Sequence, residues 1–391
     1  MSNASDILSE PVNIVSKVPS NWIKKNLVEL CNPKQWKTIS KQEMSKTGYP
    51  VFGANGFIGY YPEYNHDNET IAITCRGATC GTVNLVPKKT YITGNSMCLD
   101  NVSRDTDVKY LYYASSYRTL SDVISGSAQP QITGESLKFV ILPIPPITEQ
   151  KKIASILTSV DELIENTQKQ IDKLQDLKKA TMNDLLTKGI GHTEFKDSEF
   201  GRVPKSWEVK TVGESCGIKN TLRYPISREE REKIHGNYPY YGPTGILDFI
   251  NEYRLDGEYT LIGEDGDHFI KFYEKPQSIH ISGKFNVNNH AHILEGNALV
   301  SARWIYWFFL HRYIGPALTR QGAGRYKLNK DSLQKLEIAV PPMMEQTVID
   351  EKLTSFDILI YSKKGKLSQT QSLKRSLMQD LLTGKVRVKV N

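Results

Sequence analysis

Two textures alternate along this chain. From about Val18 to Ile147, and again from Val203 to Met344, short apolar runs such as Thr70-Ile71-Ala72-Ile73-Thr74 and Tyr259-Thr260-Leu261-Ile262 are broken by glycine and by Asn/Asp turns. Runs of that length and punctuation predict the strands of β-rich globular domains. Asp107 to Ser116 and Ala302 to His311 instead repeat apolar and aromatic residues at helical spacing, which predicts a helix inside each domain.

After Pro145-Pro146 and after Pro341-Pro342 the period changes. Ile153, Ile156, Val160, Leu163, Thr167, Gln170, Leu174, Leu177 and Thr181 step by alternating threes and fours, which predicts a coiled-coil seam. The second stretch runs Ile349, Lys352, Phe356, Leu359, Lys363, Lys366, Thr370, Leu373 and Leu377, with Leu353, Ile360 and Leu367 on adjoining positions. Proline is tolerated in the first helical turn and carboxylates are favoured near a helix N-terminus. The elements Pro145-Pro146-Ile147-Thr148-Glu149-Gln150 and Pro341-Pro342-Met343-Met344-Glu345-Gln346 therefore mark helix starts, and Gly189 and Gly384 mark helix ends. Each helix would be about 60 Å long at about 1.5 Å per residue. Neither can hide its apolar stripe alone, so antiparallel pairing of the two is expected.

The chain is also written twice. Val18-Pro19-Ser20-Asn21-Trp22 returns as Val203-Pro204-Lys205-Ser206-Trp207, at a shift of 185. Tyr49-Pro50-Val51-Phe52-Gly53 returns as Tyr238-Pro239-Tyr240-Tyr241-Gly242, and Ile92-Thr93-Gly94 is matched to Ile281-Ser282-Gly283, both at 189. The Pro-Pro-x-x-Glu-Gln elements, and Met182 to Thr187 against Met378 to Thr383, lie 196 apart. A shift that drifts so little over the whole chain means two copies of one unit in the same order, differing by short insertions.

Composition narrows the function. Of 391 residues 39% are hydrophobic and 24% charged, and no apolar stretch approaches the ~20 residues of a membrane helix, so a soluble, cytoplasmic protein without a membrane partner is expected. The formal charge of +7 is compatible with a polyanion but does not demonstrate one. Cys31, Cys75, Cys80, Cys98 and Cys216 contain no C-x-x-C pair and read as reduced, buried thiols. Gly77 to Gly81 and Gly322-Ala323-Gly324 lack the residues of a P-loop or a dinucleotide-binding turn. Asn32-Pro33-Lys34 and Asn237-Tyr238-Pro239-Tyr240 do not form the Asn/Asp-Pro-Pro-aromatic loop of an amino-methyltransferase. His290-x-His292 has no evident third ligand and reads as structural, and Glu264-Asp265 reads as a pair of recognition or turn residues. Neither a catalytic residue nor a cofactor or metal site is expected.

The duplicated Tyr-Pro-x-aromatic-Gly-x-x-Gly element, the segment Ile73 to Val83, Ile92-Thr93-Gly94-Asn95, Gly126 to Ile132, the bridge Phe195 to Trp207 and the paired Pro-Pro-x-x-Glu-Gln helices together resemble the specificity subunit of type I restriction-modification enzymes. The resemblance covers almost the whole chain. It implies an α+β protein with two tandem target recognition domains and two long helices forming an antiparallel coiled coil. The expected boundaries are 1–147, 148–189 for the first spacer helix, 190–344, and 345–391 for the second spacer helix and tail. It further implies a non-catalytic reader of double-stranded DNA, each domain reading half of a bipartite target. The helices would set the spacer and dock two modification (methyltransferase) subunits, and separate restriction (translocase/endonuclease) subunits would supply cleavage.

Base edges are read by Arg, Asn, Gln and Lys, and phosphates by Lys, Arg and hydroxyls. The expected DNA-binding residues are therefore Arg76, Thr79, Asn95, Ser127, Gln129 and Gln131 in the first copy, and Lys284, Asn286, Asn288, Arg325, Tyr326 and Lys327 in the second. Gln129 is the leading candidate, because its amide can pair bidentately with adenine. The residues expected to build the spacer helices or meet partners are Glu149, Gln150, Ile153, Val160, Leu163 and Leu174, with Glu345, Gln346, Ile349, Phe356 and Leu373. Trp22 and Trp207 are expected core anchors. The rival readings are a coiled-coil scaffold whose domains bind protein or glycan, and a nuclease.

Overall fold

The structure, a computed structural model, describes residues 11–389 apart from Asn55, Ser127, Tyr273, Glu274 and 322–324, and the side chains of His311, Gln321 and Arg325 are also outside the description. The chain folds as two compact units, Met1–Lys169 with Lys364–Asn391, and Gln170–Lys363.

In the first unit, strands Asn32–Gln35, Ser96–Asp100, Thr70–Thr74 and Val83–Val86 lie in that order in one sheet, and Gly56–Tyr61, Tyr49–Gly53 and Tyr91–Ile92 form another. The second unit joins the equivalent strands into one six-stranded sheet, in the order Gly217–Ile218, Ala291–Glu295, Leu255–Gly263, Ser278–Val287, His235–Tyr241, Ile246–Ile250. The strand Ser278–Val287 does there what Val83–Val86 and Tyr91–Ile92 do separately. One helix packs in each unit against the sheet that holds its central strands, Val108–Arg118 capped by the Asp107 carboxylate and Ala302–His311 capped by the Ser301 hydroxyl. Tyr110, Leu111 and Ala114 in the first unit, and Trp304, Trp307 and Phe309 in the second, are buried in the resulting cores.

The sheet register corrects one element of the repeat. Ile92 lies opposite Phe52 in parallel pairing, and in the second unit Val287 lies opposite Tyr241. Ile92-Thr93-Gly94 therefore corresponds to Val287-Asn288-Asn289 and not to Ile281-Ser282-Gly283. The insertion that moves the shift from 189 to 195 sits earlier, in the loop between the strands Leu255–Gly263 and Ser278–Val287.

The long helices run Ile147–Lys188 and Met343–Leu382, and each contributes one half to each unit. In the first unit Lys374 reaches Asp161 at 2.6 Å and Arg387 reaches Glu149 at 2.7 Å. In the second, Lys363 meets Gln170 at 2.7 Å and Lys178 meets Asp357 at 2.5 Å. As one number rises its partner's falls, so the pairing is antiparallel within each unit. Burial places the seam at Ile153, Leu157, Thr167 and Ile171 on the first helix and at Ile349, Leu353, Ile360, Thr370 and Leu381 on the second. Leu163, Leu177, Leu359 and Leu373 are exposed, a correction to the expected rows. Sequence offers an apolar choice at adjoining positions, such as Leu163-Ile164, and the seam takes the step of four where the expected row took three. Val160, Leu174 and Phe356 are half-buried.

Glu149 and Gln150 face inward. Gln150 donates to the carbonyls of Asp105 (2.9 Å) and Pro145 (2.8 Å) and accepts from the Asp107 amide at 2.8 Å. Gln346 repeats the pattern, donating to Leu299 (2.7 Å) and Pro341 (2.9 Å) and accepting from Ser301 at 2.9 Å. Glu149 accepts from the Trp22 indole at 3.1 Å and from the Arg387 guanidinium. Glu345 accepts from the Trp207 indole at 3.0 Å, from His192 at 2.9 Å and from the Ile190 amide at 2.8 Å. Gly189 and Gly384 end the opposing helices with φ +64° and +72°. A Cβ on Gly189 would lie 2.5 Å from a Glu345 carboxylate oxygen, and one on Gly384 2.5 Å from Pro19.

Two predictions follow from this packing. Gln150→Leu keeps the bulk but leaves the Asp107 amide and two carbonyls without their partner, and should cost about 1–3 kcal/mol, read as a lower urea midpoint; an unchanged midpoint would refute the role of the amide. In the second unit burial pushes the imidazoles of His268, His280 and His292 below the ordinary value of 6.5. Groups held neutral in the fold contribute stability that is complete above that value and is lost as pH falls through their lowered values. Strands Leu255–Gly263 and Ala291–Glu295 should therefore lose hydrogen-exchange protection, corrected for intrinsic rate, as pH falls from 7.5 to 5, more than Thr70–Thr74 and Ser96–Asp100 do.

Candidate nucleic-acid interface

The first unit gathers three separate segments along one edge of the domain, where the central strands Thr70–Thr74 and Ser96–Asp100 end and begin. The Cys75 amide donates to the Asn95 carbonyl (3.1 Å), the Ile132 amide to Cys75 (3.0 Å) and the Gly77 amide to Pro130 (3.2 Å). Arg76 and Gln131 are bridge partners, as are Ser125 and Gln131. These ties hold the backbone, and the side chains of Arg76, Asn95, Gln129 and Gln131 are exposed along the edge. Gly126 turns the last segment at φ +83°, where a Cβ would stand 2.6 Å from the Gln129 carbonyl. Thr79 is half-buried in the Gly77–Gly81 turn, and Ser127 lies outside the described residues.

The second unit repeats the three backbone bonds and the first of the bridges. The Glu264 amide donates to His290 (2.7 Å), Leu328 to Glu264 (2.8 Å) and Gly266 to Tyr326 (3.3 Å), with Asp265 and Lys327 bridged. The structural counterparts of Arg76, Asn95 and Gln131 are therefore Asp265, His290 and Lys327. Asp265 meets His290 Nδ1 at 2.9 Å. Glu264 is held between Arg223 at 2.7 Å and Lys327 at 3.2 Å. Below it, His292 Nε2 donates to the Leu328 carbonyl at 2.7 Å while Nδ1 accepts from Asn220 and Arg223, each at 2.9 Å. That arrangement suits the neutral ring that burial favours.

Three expected residues of the second copy lie elsewhere. Lys284 is exposed on the strand Ser278–Val287. Asn286 is fully buried, accepting from the Arg254 amide at 3.0 Å and donating to the Glu252 carbonyl at 2.7 Å. Asn288 is buried and accepts from the His290 amide at 2.9 Å. With its amide spent on the fold, Asn286 presents no edge to a base. Tyr326 is half-buried on the strand Arg325–Lys327. Asp265, expected with Glu264 as a recognition or turn residue, lies here, whereas His290, expected to be structural, is the counterpart of Asn95, which a loop insertion placed after Gly283 assigns instead to Lys284.

His66, Cys98 and Asp100 bring potential metal-ligand atoms within 4.8 Å of one another. Their hydrogen bonds describe a structural cluster: His66 meets Asp100 at 3.0 Å and Asn65 at 2.7 Å, and the Trp36 indole donates to Asp100 at 3.0 Å. Burial pushes the Cys98 thiol pKa up, away from the thiolate a metal requires.

The comparisons agree with this architecture. The model of the type I restriction modification DNA specificity domain matches residues 19–176 and 204–371. A putative type I restriction enzyme specificity subunit of Methanocaldococcus jannaschii, MjaX, is 31% identical over 269 residues, covering 67% of this chain and 63% of that protein's length. The MjaVIII specificity subunit of the same organism is 26% identical over 341 residues, covering 80% and 78%. The crystal structure of an S subunit from M. genitalium shares the fold, with TM-score 0.68 at 19% identity over 96% of this chain and 99% of that one. With the matched domain present in both units, the chain belongs to the type I restriction-modification DNA specificity family.

Proposed function

We propose that this chain is the non-catalytic, sequence-reading subunit of a type I restriction-modification enzyme. Each unit reads one half of a bipartite double-stranded DNA target. The long helices hold the unread spacer and dock two modification subunits that methylate adenine, and restriction subunits join that assembly in the cytoplasm. Among the described residues no helix is long and apolar enough to cross a membrane.

One observation carries the reading. The same backbone weave presents Arg76, Asn95 and Gln131 in one unit and Asp265, His290 and Lys327 in the other. A retained frame with exchanged polar side chains is what two different half-sites require. Arginine suits guanine, asparagine and glutamine suit adenine, and a carboxylate accepts from the cytosine amine. Gln129 and Gln131, exposed beside Arg76, are the base-reading candidates of the first unit, while Lys327, engaged by Glu264, is better placed for phosphate.

The test is the methylated-adenine motif of host DNA with and without this chain. A two-part motif with a fixed gap, lost on deletion, is the expected result, and a motif that survives deletion would overturn the reading. Arg76→Ala should relax one position of one half-site by about 1–3 kcal/mol of discrimination and leave the other half-site unchanged. Adding about four residues, one turn or roughly 6 Å, beside Gln168 and at Lys364 should change the gap and neither half-site.

A further inference from the structure

Beside each divergent edge stands a hairpin whose chemistry did not diverge. In the first unit it joins Tyr49–Gly53 to Gly56–Tyr61, and in the second His235–Tyr241 to Ile246–Ile250. Phe57, Ile58, Tyr60 and Tyr64 are exposed on the first by 37–59%, and their counterparts Ile246, Leu247, Phe249 and Tyr253 on the second by 40–53%. Tyr49 and Tyr64 stack edge to face at 4.7 Å between ring centroids, and Tyr238 and Tyr253 pair at 4.9 Å. A lysine completes each cluster, Lys89 over Tyr64 at 5.7 Å and Lys284 over Tyr253 at 4.6 Å. By the corrected register Lys89 and Lys284 are counterparts.

Each cluster is continuous with the reading edge. The Thr74 hydroxyl donates to the Ala54 carbonyl at 2.7 Å and the Ser96 hydroxyl to Gly53 at 3.4 Å, placing the tip beside Arg76 and Asn95. In the second unit the Asn288 amide donates to Tyr241 at 2.9 Å, two residues from His290. Solvated apolar side chains repeated at equivalent places point to an occupant that is the same at both half-sites. DNA offers one in its sugars and phosphates, which do not change with sequence.

Resting on the reading above, we propose that the two hairpins are a second, sequence-independent DNA contact. Their apolar tips lie in a groove against deoxyribose beside each half-site, and Lys89 and Lys284 take a phosphate there. Apolar side chains in grooves and lysines on phosphates are established modes of DNA binding.

The experiment compares the complex with modification subunits, wild type and variant, on two labelled duplexes, one with the methylated motif and one scrambled. Phe57→Ser with Ile246→Ser should weaken both duplexes about tenfold and leave their affinity ratio unchanged. Lys89→Gln with Lys284→Gln should lower the slope of log affinity against log salt by about two, roughly one per lysine. Thermal melting checks that each variant is folded, and the lysine pair provides the readout should the serine pair melt early. A changed ratio, unchanged binding of both duplexes, or loss of the modification subunits with DNA contact otherwise intact would each overturn the proposal, the last by assigning the surface to a protein partner. A wild-type complex that cannot distinguish the duplexes would overturn the reading above together with this one; discrimination by wild type with variants that bind both duplexes unchanged would overturn this one alone.

Discussion

The architecture depends on a buried carboxylate in the first turn of each long helix. Glu149 and Glu345 each accept an indole N–H from a tryptophan of the adjoining globular part and a second donor from just beyond the glycine that ends the opposing helix. A single side chain thus ties a helix start, a globular core and the end of the other helix. A carboxylate suits the place because every group facing it donates, and because the helix N-terminus is electropositive. The neighbouring glutamine is a complementary choice, since it must both donate to carbonyls and accept from an amide. The Pro-Pro-x-x-Glu-Gln element is therefore a joint between domain and helix, with its polar side chains turned inward.

That joint explains which parts of the two copies had to stay alike. Trp22 and Trp207, Gly384 and Gly189, and the caps Asp107 and Ser301 all converge on it, and changing any one leaves a hydrogen-bonding group without its partner or introduces a clash. The two divergent edges share a different kind of tie. Their ties are backbone amides and carbonyls, which do not depend on side-chain identity, so Arg76 and Asp265 occupy equivalent places without disturbing the weave.

Much of this was legible in the residues. Periodicity located the helix starts, the duplicated Trp residues marked core anchors and the Tyr-Pro elements marked the repeat, because those signals are local. The rest depended on tertiary context. Leu163 and Ile164 are equally apolar, and only the facing helix selects the face that is buried. The six-residue difference in loop length could sit before or after Ile281, and strand pairing alone decides it. That one choice hid His290 as the counterpart of Asn95 and brought forward Asn286, whose amide is committed to the fold. Arg76, Asn95 and Gln131, more than a dozen residues apart in sequence, were named from side-chain chemistry, and they share an edge because Cys75 bonds to both neighbouring segments.

The two edges rest on unlike foundations. Beneath Arg76 lies the Cys75 thiol, raised in pKa by burial and met by Gln35, a neutral support. Beneath Asp265 lies Glu264, clamped by Arg223 and Lys327, so substitution of Lys327 leaves a shielded carboxylate half-compensated. Substitution of Arg76 therefore leaves no buried charge uncompensated in the first unit. In the second, replacing Lys327 requires a compensating change at Glu264, so the two edges tolerate substitution unequally.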